Sequence, residues 1–170
     1  MNARQKTVLF GKIQQHFKGQ LRGLTIALWG LAFKPQTDDM REAPSRTLID
    51  LLVKAGAQVR AYDPVAGPEA RRLYEVPAQS GRIVFCRDAY EAAQSADALL
   101  IATEWKEFRS PDYDRLKELL RAPVIFDGRN LYDPALMERL GIEYFAIGRG
   151  RALPVPGRVS ELPARNVENL

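Results

Sequence analysis

Three loops hold the residues best suited to chemistry. Gly30-Leu31-Ala32-Phe33-Lys34-Pro35 runs on from Gln36 to Ser45 and puts two cations, Lys34 and Arg41, in one stretch. Cations there suit phosphate or diphosphate oxygens, through charge-assisted hydrogen bonds; the alternative is that both are ordinary surface charges. Thr103-Glu104-Trp105-Lys106-Glu107-Phe108 offers Trp105. Its indole face suits a planar base, or the packing of its own loop. Asp127-Gly128-Arg129-Asn130 offers Arg129, with Asp127 able either to hold that arginine or to cap the turn. Nucleophilic and metal chemistry have little to work with. His16 is the single histidine, so a Ser-His-Asp triad or a histidine zinc cluster would have to use it. It falls in a basic helical stretch and reads as a solvated helix residue. Cys86 is the single cysteine, which excludes an intrachain disulfide and a multi-cysteine metal site. Its apolar strand gives it the part of a small buried hydrophobe. No catalytic residue and no metal ligand is expected.

The elements around these loops alternate. Residues 2–18 form a helix in which Leu9, Ile13 and Phe17 recur every fourth position, and Gly19 and Gly23 end it. Nothing nearby in sequence covers that stripe. It is expected to be exposed, to be covered by a further helix or a second subunit, and to make the chain self-associate. Leu24 to Trp29 is an apolar run of the kind found in strands buried on both faces. Further strands are read at 58–62, 83–86, 98–102, 124–126 and 144–147. Helices are read at 44–55, 68–75, 88–95, 112–120 and 134–140. Pro44 suits the first turn of its helix and Gly56 suits the stop. This alternation predicts an α/β fold: a doubly wound, Rossmann-like parallel sheet of about six strands, preceded by the end of a long helix. With strand order 3-2-1-4-5-6, a ligand binds outside the carboxyl ends of the first and fourth strands. The three loops above gather there. The first departs from Gly-x-Gly-x-x-Gly, because it keeps Gly30 but has Ala32 and Pro35 at the other glycine positions. A pyrophosphate is therefore not expected to settle on the following helix N-terminus. Residues 148–170, rich in proline and glycine, are expected to be irregular.

Composition excludes several classes. At 170 residues and 46% hydrophobic, the chain suffices for one domain with a sizeable core. No apolar run approaches the roughly 20 residues that span a bilayer, and the N-terminus lacks the apolar core of a signal peptide. With a lone cysteine, this points to a cytoplasmic protein. The net charge of +4 comes from the first 23 residues, where Arg4, Lys6, Lys12, Lys18 and Arg22 meet no acid. The remainder carries twenty basic against twenty-one acidic residues, so no nucleic-acid partner is expected. Asp38 and Asp39 imitate the acidic cluster of a receiver-like signalling domain, but they lie deep in a loop rather than at a strand end.

Four motifs, in order, resemble the signature of the UDP-glucose/GDP-mannose dehydrogenase family. They are Gly30 to Pro35 with Thr37 to Ser45, Ala61-Tyr62-Asp63-Pro64, Thr103-Glu104-Trp105, and Phe126-Asp127-Gly128-Arg129-Asn130. The resemblance runs from about Asn2 to Arg149 and fits the UDP-glucose branch best. The GDP-mannose and UDP-N-acetylhexosamine branches are alternatives, as is a free-standing nucleotide-sugar-binding module. Such enzymes oxidise a nucleotide-sugar alcohol twice to the carboxylate, UDP-glucose to UDP-glucuronate, with NAD as cofactor. The resemblance implies that residues 1–22 are the end of a central linking helix that forms a homodimer. It implies that 23–149 bind the UDP-sugar and that 150–170 are a tail. It implies that Phe33 and Lys34 contact the uridine diphosphate, that Arg129 holds the nucleotide sugar, and that Arg41 reaches to NAD. The family's nucleophilic cysteine and its NAD domain have no counterpart in this sequence. The chain by itself is therefore expected to be inactive.

Overall fold

Strand β1 (Thr25–Trp29) divides its side chains between two cores: Ile26 and Leu28 point to one, Ala27 and Trp29 to the other. This period of two recurs in β4 (Ala98–Ile101) and β5 (Val124–Asp127). Burial on both faces explains why these segments read as unbroken apolar runs. The computed structural model describes residues 1–147 and holds one sheet of six parallel strands in the order β3-β2-β1-β4-β5-β6. The remaining strands are β2 (Gln58–Tyr62) and the two edge strands β3 (Ile83–Phe85) and β6 (Glu143–Ala146). The expected fold class and strand order are both realised. The tail from residue 148 lies outside the described residues.

Helices α2 (Pro44–Lys54) and α3 (Gly67–Leu73) pack on the first core. A short α4 (Glu75–Gln79) follows, where a single helix to Glu75 was expected; Tyr74, at φ −116° and ψ 32°, breaks the run between them. Helices α5 (Ala89–Ala93), α6 (Tyr113–Leu119) and α7 (Pro134–Arg139) cover the second core. Each starts on an aspartate, Asp88, Asp112 or Asp133, whose side chain accepts from a backbone N–H of the first turn.

The leading helix α1 (Ala3–His16) overturns two expectations. Asn2 and Gln5 close a capping box at its start. Its stripe is not exposed: Leu9 and Ile13 are fully buried in the first core, with Phe10 and Phe17 beside them. The crossovers around β4, β5 and β6 place their helices on the second face, so the first face over β5 and β6 would lie bare. Helix α1 covers it. His16 is likewise not solvated. Its ring packs edge-on to Phe126 and Phe145, and its Nδ1 lies 3.6 Å from Glu143. The polar side of α1, where Val8 is 42% exposed, is what remains for any neighbour.

Ile13→Ala is expected to cost about 2–5 kcal/mol of stability in urea unfolding, the usual price of a buried branched side chain. Val8→Ala should stay within about 0.5 kcal/mol. Equal losses at both positions would mean that α1 does not dock through this stripe.

Candidate functional site

The loops after β1, β2 and β4 are tied together by one carboxylate. Asp63 is 7% exposed and ends β2. Its Oδ2 accepts the backbone N–H of Leu31 (2.7 Å), that of Ala32 (3.0 Å) and the indole Nε1–H of Trp105 (3.0 Å). Its Oδ1 accepts the N–H groups of Val65 (2.8 Å) and Ala66 (2.7 Å). Further bonds close the junction: Thr103 Oγ1 donates to the Ala32 carbonyl (2.7 Å) and Ser45 Oγ to the Leu31 carbonyl (2.6 Å). Gly30 passes under Thr103 at φ 96°. Trp105, buried and with its ring N–H committed to Asp63, packs its own loop while also lining the cleft described below.

The turn after β5 is built the same way. Asp127 is fully buried and accepts from the backbone N–H of Arg129 (2.8 Å), that of Leu131 (2.7 Å) and the Tyr144 hydroxyl (2.6 Å). It caps the turn and does not hold the arginine's guanidinium. That task falls to Glu104, whose Oε1 accepts from Arg129 at 2.7 Å. Arg109 stands 3.9 Å from the other oxygen of Glu104. Gly128 lies tight against the end of β4, where a Cβ would come within 2.9 Å of the Ile101 carbonyl and would also meet the Met1 methyl.

The sequence placed Lys34 and Arg129 at one sheet edge, and the parallel order of β1, β4 and β5 puts both loops at their carboxyl ends. A cleft of about 730 Å³ lies between the loops after β1 and β4, walled by Pro35 and Gln36 on one side and by Glu104, Trp105, Lys106 and Arg109 on the other. Phe33 is 47% exposed just before this wall, and Lys34 is exposed beside it. Arg129, with a side chain 25% exposed, is drawn to the cleft by Glu104. Arg41 belongs elsewhere. It lines a second cleft of about 660 Å³ with Asp38, Arg46, Glu69 and Arg72. Its 88% exposed guanidinium grips Asp39 through both oxygens (3.1 and 2.9 Å). Those hydrogen bonds hold the Asp39 carboxyl down at about 2. Asp39 is thereby paired with a cation rather than set in an acidic cluster.

Glu104 and Asp63 were not singled out from sequence as site residues. Both stand inside motifs quoted above, but only the fold brings them to their partners. Lys34, Lys106, Arg109 and Arg129 give this edge several cations, and Arg129 is paired with Glu104. Among the described residues no group of histidines, cysteines and carboxylates could hold a metal ion. Cys86 is buried, and burial raises its thiol above the ordinary range. That suits the inert role expected of it.

A doubly wound parallel sheet with charged loops gathered at its switch point defines a Rossmann-like α/β domain. Residues 27–134 match the model of the UDP-glucose/GDP-mannose dehydrogenase family, UDP binding domain, and the chain belongs to that family. It is similar to a UDP-glucose 6-dehydrogenase of Pseudomonas aeruginosa, 48% identical over 151 residues that make up 89% of this chain and 33% of the relative. A UDP-glucose 6-dehydrogenase of Rhizobium meliloti is 42% identical over 88% of this chain and 33% of its own length. Among solved structures, a UDP-glucose dehydrogenase from Pyrobaculum islandicum superposes with a TM-score of 0.65 at 29% identity. The match covers 76% of this chain and 27% of that one. The chain thus spans about a third of the length of the curated relatives it matches.

Proposed function

We propose that the chain is the nucleotide-sugar-binding part of an NAD-dependent dehydrogenase that converts UDP-glucose to UDP-glucuronate. The observation that supports this reading is the partly buried Arg129, paired with Glu104 of the cleft whose opposite wall is Pro35 and Gln36, next to Phe33 and Lys34. In this reading Phe33 and Lys34 meet the uridine diphosphate and Arg129 holds the nucleotide sugar. Residues 23–149 form the binding domain, and residues 1–22 close a linking helix that also takes part in a homodimer. The setting is the cytoplasm; among the described residues no helix is long and apolar enough to cross a membrane.

NAD, when bound, accepts the hydride. The first turn of this sheet does not fit its pyrophosphate, because the Leu31 and Ala32 N–H groups that would face it are spent on Asp63. NAD therefore belongs mainly to a part of the enzyme beyond this domain. Arg41, exposed and apart from the first cleft, is the contact proposed here.

Titration of UDP into the labelled chain, followed by NMR, tests the reading. Signals near residues 33, 34 and 129 should shift, with an affinity on the order of millimolar. Arg129→Ala should abolish most of the shift, since a hydrogen bond to a charged group contributes about 1.5–3 kcal/mol. Arg41→Ala should change little. No shift at these residues, or equal losses from the two substitutions, would sink it.

A further inference from the structure

Arg129 meets a ligand with part of its guanidinium already engaged. Its guanidinium donates at 2.7 Å to Glu104 Oε1, and Glu104 is itself part of the cleft wall. A carboxylate oxygen therefore holds one of the guanidinium's five N–H groups, a position for which an incoming phosphate oxygen would compete with the same hydrogen-bond geometry. Two further features bear on this arrangement. Arg129 does not need Glu104 for the course of its backbone, because Asp127 already fixes the turn through the Arg129 and Leu131 N–H groups. Glu104 also has a second cation within reach: Arg109 lies 3.9 Å from Oε2 and is 56% exposed, so it can swing closer.

We propose that Glu104 is an internal competitor for the anion site, occupying Arg129 in the empty domain and passing to Arg109 when a phosphate takes its place. The inference rests on the reading of this cleft as a nucleotide diphosphate site and adds a determinant of selectivity to it. A ligand must outbid a carboxylate for Arg129. A diphosphate, with several charged oxygens, can do so, whereas a neutral nucleoside cannot and gains nothing from this arginine.

The ion pair is only partly buried, at 25% and 37% side-chain exposure, so its hold is that of a partly screened pair. Glu104→Gln is the substitution of choice. Its amide oxygen still accepts from Arg129 and keeps the side chain's shape, while the competing charge is gone. UDP and uridine are titrated by NMR into the full chain and into the variant. UDP is expected to bind about fivefold more tightly to Glu104→Gln, the order set by a partly exposed ion pair. Uridine should bind both forms equally. Tightening of both ligands alike would mean a general loosening of the cleft and would overturn the competition. Unchanged or weaker UDP binding would overturn it too, and would make Glu104 a residue that positions Arg129 for the ligand. UDP shifts seen only in the variant support the inference. Their absence from both forms would overturn it together with the reading of the cleft. Their presence in the wild-type chain without tightening in the variant would overturn this inference alone.

Discussion

Replacing Asp63 by alanine is expected to lower the unfolding free energy by about 4 kcal/mol, measured by urea denaturation. Five N–H groups lose their acceptor at once: four from the backbone and one from Trp105. A buried donor left unmade costs about 1–3 kcal/mol, and water entering at the loop surface offsets part of the total. Few single substitutions reach 4 kcal/mol, and it is a large share of the 5–15 kcal/mol that holds a domain folded. Asp63→Asn should fall between alanine and wild type, because its amide retains one oxygen but turns an NH₂ toward the remaining donors. Trp105 is tied directly to the lost carboxylate, so its fluorescence should change in the native baseline of the Ala variant as well as at the transition. A loss below about 1 kcal/mol would show that solvent replaces the carboxylate and that Asp63 is no hub.

Gly30→Ala is expected to be nearly as damaging, at about 3 kcal/mol or more. Its φ of 96° lies where a side chain is strained, and a Cβ would collide with the side chain of Thr103 and approach its backbone nitrogen to 2.7 Å. Backbone cannot swing aside as a flexible side chain can, so β1 and β4 would have to separate at the point where their loops are joined. Gly11 supplies the control. It lies on the exposed side of α1 with nothing within 4 Å of an added Cβ. Gly11→Ala should therefore stabilise by roughly 0.5–1 kcal/mol through helix propensity. Thermal or urea unfolding of the two variants should move in opposite directions. A mild effect at Gly30 would refute the close approach of the two loops.

The sheet was legible because its determinants are local. Six short apolar runs separated by helical periods leave few alternatives to a doubly wound order, and that order alone brings the loops of Lys34 and Arg129 to one edge. The partner of α1 was not legible. Leu9 and Ile13 join a core that reaches Phe126, more than a hundred positions away, and a stripe without a local partner reads equally well as an interface. His16 was misjudged for the same reason, since Phe126 and Phe145 are remote in sequence. At the site, cation positions could be read from loop and strand order. The carboxylates that discipline them could not, because Asp63 and Glu104 act over separations of 42 and 25 residues on Trp105 and Arg129. Indole suits a base and a core alike, and the packing of Trp105 on the Asp63 junction shows only in the fold.

The docking of α1 has a mechanical consequence. Leu9 and Ile13 anchor the helix in the core, Lys12 clamps it to the Ala146 carbonyl at 2.6 Å, and the Met1 methyl rests on the turn that begins at Gly128. A packed interior transmits displacement rather than absorbing it. Helix and sheet therefore behave as one lever with its short arm at the Arg129 turn. A displacement of α1 would be felt at the turn that carries Arg129, through the Met1 methyl on Gly128.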